Sequence, residues 1–110
     1  MAKIEVDNIL PSMTAAAKVE FSKKWPAIRS YAEAELRKLA QTLVQIEALR
    51  AEGKISEGEA GVLLEMQKNT ARAVMLAVKG MSLILVEAAL NAALDAIKDI
   101  INGALGFILL

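Results

Sequence analysis

At 110 residues, with 55 % hydrophobic side chains and 13 basic charges set against 13 acidic ones, the chain has the length of one domain and an apolar content above the usual value of roughly 45–50 %. The cancelled net charge leaves no long-range field to recruit nucleic acid or anionic lipid. The absence of cysteine and histidine removes disulfides, thiolate and imidazole metal sites and the commonest general base, so no metal, cofactor or catalytic residue is expected.

Residues 1–11 read as an extended N-terminal arm. Charged and apolar residues alternate from Met1 to Asp7 without the continuous apolar run of a signal peptide. Ile4 and Val6 would share one face of a strand. Pro11 then punctuates, and Ser12 is a plausible cap for a short first helix over about 13–24. Trp25-Pro26 ends it, because proline disfavours helical backbone in the residue before it and suits the first turn of the next helix. Phe21 and Trp25 lie one turn apart, as a plug for one end of a bundle. The lysines among them (Lys18, Lys23, Lys24) and Arg29 would lay their stems over apolar surface.

The second helix spans about 26–52. Ala32, Leu36, Leu39, Leu43 and Ile46 are spaced 4, 3, 4, 3, the pattern of a coiled-coil seam with a single partner face. Glu33 and Glu35 belong, with the other carboxylates, to solvated faces. The clearest local signal follows. Gly53 stands where a helix ends in the left-handed conformation, and Ser56-Glu57-Gly58-Glu59 is a capping box. Together they predict an αα-hairpin turn at 53–55.

The third helix runs from about Glu57 to Asn102-Gly103. Only five of the 26 charged side chains fall in residues 73–110, so this helix must hide most of its circumference. At about 70 Å it would be too long for a chain of this size to cover by itself. Its polar residues fall into two arcs: Glu65, Lys68, Arg72 and Lys79, then Glu87, Asn91, Asp95, Lys98 and Asn102. The second arc is rotated by roughly 100–120° from the first. A continuous helix bent at Gly80 is the leading reading and a helix broken there the alternative. Lys68 and Arg72 are like charges one turn apart. A carboxylate from another helix would relieve the repulsion, and Glu65 can serve Lys68. Ala88, Ala92 and Ala96, with Ala89 and Ala93, form small-residue ridges suited to close helix contact, here assigned to contact between copies of the chain.

These elements predict an all-α fold in a single domain over 12–110: a hairpin of long helices plus a short N-terminal helix, assembled as a homo-oligomeric dimer or tetramer. A four-helix bundle within one chain, broken at Gly80, is the alternative. The function expected is that of a non-catalytic, cytoplasmic structural or interaction protein that self-associates through apolar helix faces and binds no nucleic acid. A membrane-associated protein inserting residues 73–110, with an apolar tail at 103–110, is the second reading. A bundle that binds an apolar small ligand is the third.

Overall fold

A computed structural model describes residues 4–110, and among them there are five α-helices and no strand. They are α1 (Val6–Phe21), α2 (Trp25–Ala51), α3 (Glu57–Leu76), α4 (Leu83–Asp95) and the short α5 (Lys98–Leu105). The first four form an up-down-up-down bundle in which each helix packs on its neighbours in the chain, and α1 closes the ring against α4. Antiparallel pairing is fixed at both ends. The backbone N–H of Ile4 donates to Glu47 Oε1 at 3.2 Å, joining the start of α1 to the end of α2. The Lys24 ammonium donates to the carbonyl of Gly80, joining the α1–α2 and α3–α4 turns at the opposite end.

The extended arm is overturned from Val6 onward, while Met1 to Lys3 lie outside the described residues. Ile9, Met13, Ala17 and Phe21 are all buried at four-residue spacing, and that stripe outweighs the cost of Pro11 inside the helix. Proline removes one backbone bond and crowds the preceding turn, but Pro11 sits on the exposed side, where water can serve the freed carbonyl. The first turn comes earlier than Trp25-Pro26 suggests. Ser22 takes a φ of +51° and opens a single 3₁₀ turn to Lys24. Proline then occupies the first turn of α2 as expected. Phe21 and Trp25 are buried there with ring centroids 6.2 Å apart.

Helix α2 is the central element and has more than one partner face: it packs against α1, α3 and α5. All five seam residues, Ala32, Leu36, Leu39, Leu43 and Ile46, are fully buried. So are Ile28 and Ala40 beside them, and Glu35 is only 3 % exposed. The seam is therefore the middle of a wider buried band, which corrects the solvated reading of Glu35.

The α2–α3 turn forms as the sequence dictates. Gly53 has a φ of +69°. Glu59 N–H donates to Ser56 Oγ at 3.1 Å and Ser56 N–H donates to Glu59 Oε1 at 2.9 Å. That backbone N–H, helped by the serine hydroxyl, holds the Glu59 carboxyl below the ordinary glutamate range.

The long third helix is also overturned. It stops at Leu76, the chain reverses through 77–82, and α4 returns along α3. Gly80 supplies the reversal with a φ of +87°, and Ser82 caps the new helix by accepting from Leu85 N–H at 3.2 Å. A straight 57–102 helix would be about 70 Å long, whereas the molecule is 43 Å in its longest dimension. Folding back lets the apolar circumference of α4 beyond its first turn be covered by its own chain, while Leu83 and Ile84 stay exposed. A second break, at Ala96–Ile97, has no glycine or proline to announce it. Helix α5 then runs past Asn102-Gly103 to Leu105, and Gly106 ends it with a φ of +78°.

Candidate interaction surfaces

The break at Gly80 gives the two polar arcs a common purpose. Once α4 folds back, Glu65, Lys68 and Arg72 of α3 face Glu87, Asn91 and Asp95 of α4 as opposite walls, with Lys98 and Asn102 following on α5 and Lys79 left in the reversal. The Arg72 guanidinium bridges the walls by donating to Glu87 Oε1, and it also donates to Asn69 Oδ1 at 2.6 Å. Beyond that bridge lies a cleft of about 310 Å³ lined by Glu65, Lys68, Asn91, Asp95 and Lys98, with Leu64 and Leu94 at its base. Its charges are matched within each wall: Lys68 lies 3.5 Å from Glu65, and Lys98 lies 3.2 Å from Asp95. The tail residues Leu109 and Leu110 close its far side. Asn102 holds them, its Oδ1 accepting from both backbone N–H groups at 2.9 and 3.0 Å and its Nδ2 donating to the Leu110 carbonyl at 3.3 Å. The cleft carries paired charges and no activated nucleophile.

The small-residue ridge divides between inside and outside. Ala89 and Ala93 are buried, on the helix that packs most extensively with α1. Ala88 and Ala92 are half-buried and Ala96 is exposed at the end of α4. The Ala89–Ala93 pair, assigned from sequence to contact between copies, is thus used within the chain.

Glu35 is the buried charged residue of the core. Its Oε2 accepts from the Lys38 ammonium at 3.0 Å, while its Oε1 is buried without a hydrogen-bond partner, as is the side-chain amide nitrogen of Gln67 on α3. Its position one turn before Leu39 was the available signal, and the one-partner reading of α2 hid it. Among the described residues no group of three or more acidic side chains is placed to hold a metal ion. No helix of the described residues is long and apolar enough to cross a membrane; the 73–110 segment is divided among α3, α4 and α5, with Val86, Leu90, Ile97 and Ile101 in the core.

Two features of the outer surface remain. First, each end presents apolar surface: exposed side chains at the Gly80 end, and at the Gly53 end a groove in which Val62 is exposed, Leu49 and Leu63 are half-buried and Ile55 is buried. Val19, Leu83 and Ile84 stand in solvent at the Gly80 end, with Ile84 84 % exposed and Val19 76 %. At the Gly53 end, Leu49, Ile55, Val62 and Leu63 line an open groove of about 760 Å³ in the α2–α3 corner, with Lys54, Ser56 and Glu59 at its rim. Second, the zero net charge conceals a strong polarity. The segments at the Gly80 end, 16–30 and 76–87, hold five basic and two acidic side chains; those at the Gly53 end, 4–10, 44–62 and 95–110, hold three basic and eight acidic.

Comparison with protein-family models, curated proteins and solved structures gave no match.

Proposed function

We propose that the chain is a non-catalytic, cytoplasmic structural protein that self-associates through apolar surface. The observation that carries this reading is the disposition of its large apolar residues. The bundle buries a continuous core from Ile4 to Leu105 within one chain, yet leaves Val19, Val62, Met66, Leu83, Ile84, Ile100 and Ile108 more than half exposed. Scattered exposed aliphatics are ordinary, but grouped ones mark contact sites. Met66 stands alone at the middle of α3, but Val19, Leu83 and Ile84 gather at the Gly80 end, and Val62 lies beside a groove at the Gly53 end that a protein side chain would fill. The polar cleft, with its internally matched ion pairs, supports a structural part for those charges rather than a chemical one.

Sedimentation velocity over a concentration series tests the proposal. The expected result is a mass-average that rises with concentration above the 11.8 kDa of one chain. A constant 11.8 kDa species at every concentration overturns it.

A further inference from the structure

We infer that the copies join head to tail, the basic apolar end of one molecule seating in the acidic apolar groove of the next. This rests on the self-association proposed above and specifies its joint. The projecting part is Leu83 and Ile84 on the first turn of α4, with Val19 on the last turn of α1 at the same end. Lys18, Lys23 and Lys79 are exposed around it. The receiving part is the groove formed by Leu49, Ile55, Val62 and Leu63. Glu52, Glu57 and Glu59 are exposed in and beside the turn that borders it.

Three observations choose a second copy as the occupant. The two surfaces are opposite in charge, five basic against two acidic at one end and three against eight at the other. Such complementarity orients partners and suppresses the wrong pairing, since like ends meeting would repel. Each surface has an apolar centre with charges at its edge, the arrangement of a specific interface. And the two lie at opposite ends of a body 43 Å long, so a molecule cannot satisfy its own groove. A contact between two different surfaces of the same chain is heterologous, and it propagates rather than pairing off. The net charge of zero is then a consequence of the design: each joint neutralises one basic and one acidic end.

Two single substitutions, Ile84→Asp and Val62→Asp, test the joint. Both positions are exposed, and circular dichroism should match the parent. The unmodified chain should grow past the dimer with rising concentration and shrink in 1 M salt, where charges are screened beyond about 3 Å. Each variant alone should associate roughly tenfold or more weakly, the loss expected from one aliphatic side chain left in water. Mixed together, the two variants should form a species of twice the 11.8 kDa chain mass and stop there, because one intact projection meets one intact groove. If the unmodified chain assembles but neither variant weakens it, or the mixture fails to pair, the head-to-tail joint is wrong while self-association stands. If the unmodified chain is monomeric in solution, both readings fall. If that monomer sediments with phosphatidylserine vesicles and Ile84→Asp prevents it, the basic end is a lipid-surface contact and the joint is overturned.

Discussion

Helix α4 has two neighbours and meets them with different chemistry. Toward α1 it presents a dry face of small and branched residues, Val86, Ala89, Leu90 and Ala93, and this is the most extensive helix pair in the molecule. Alanines let the backbones approach, and the aliphatic residues between them fill the gaps, so the contact is held by burial and dispersion. Toward α3 it presents Glu87, Asn91 and Asp95, and the two helices diverge around a charged cleft bridged by Arg72. The same helix is thus fixed tightly on one side and tethered on the other. The lesson is that a helix with mostly apolar circumference need not find most of its cover in a second copy or a membrane. A reversal at one glycine supplies partners from its own chain.

The largest expected effect lies on the dry side. Leu90→Ala should cost roughly 2–5 kcal/mol of unfolding free energy, since Leu90 is fully buried and its removal leaves a cavity as well as lost transfer energy. Urea unfolding at constant m-value measures it. A loss under about 1 kcal/mol would mean that α1 and α4 can close the gap and that the contact is less rigid than its packing suggests. Ala93→Leu probes the same contact from the other direction. Three extra heavy atoms have nowhere to go between close backbones, and overpacking of this kind costs about 1–3 kcal/mol. Ala96→Leu, three residues on but exposed, should change stability by no more than about 0.5 kcal/mol. Equal effects at the two positions would remove the distinction between the inner and outer halves of the alanine ridge.

How much of this was legible in the sequence depends on how local the cause was. The capping box at Ser56 and the left-handed Gly53 form as read, because four adjacent residues settle them. The buried seam of α2 was legible for the same reason: its spacing is a property of one helix. The sequence asks for a carboxylate to relieve the Lys68–Arg72 repulsion without naming one; Glu87 becomes the neighbour of Arg72 only when the chain reverses at Gly80. That reversal was the weaker of two readings because the usual company of a turn, proline or asparagine, is missing from Val78 to Ser82. The angular offset between the polar arcs was the stronger clue. Two arcs rotated on one helix make poor sense; on two facing helices they make a cleft. Pro11 misled in the opposite direction, since a local breaker was overridden by a four-residue stripe that pays off only in the packed bundle. Nothing in the sequence marked the break at Ala96–Ile97 or the hold of Asn102 on the tail.

The reversal itself can be tested with a change of one methyl group. Gly80 has a φ of +87° and nothing within 4 Å of the position a Cβ would occupy, so Gly80→Ala meets backbone strain and no clash. The left-handed conformation costs an L-residue roughly 1–2 kcal/mol, and stability should fall by that amount. Gly61, within α3, also has open space around a would-be Cβ but no positive φ, so Gly61→Ala should stabilise by roughly 0.5–1 kcal/mol. The opposite signs of one chemical change would separate a required glycine from a tolerated one. If Gly80→Ala were neutral, the reversal would be set by the pull of the α1–α4 core rather than by its own backbone.

The smallest effect is expected on the tethered side. Arg72 and Glu87 are 24 % and 35 % exposed, so water screens their attraction. A double-mutant cycle with Arg72→Met and Glu87→Gln should give a coupling of about 0.5–1 kcal/mol, in the range of partly exposed ion pairs. The coupling should weaken further between 0.1 and 1 M salt, as the screening length falls from about 10 Å to about 3 Å. The single Arg72→Met change should also free Asn69, whose side-chain oxygen accepts from the same guanidinium at 2.6 Å, so Asn69→Ala made in that background should have little further effect. A coupling above about 3 kcal/mol, insensitive to salt, would place the pair in the regime of buried charges. The cleft would then exclude water as fully as the α1 side does, and α4 would have two rigid faces instead of one. A coupling of zero would leave the turn at 77–82 as the main connection between α3 and α4, with the cleft free to open and close about it.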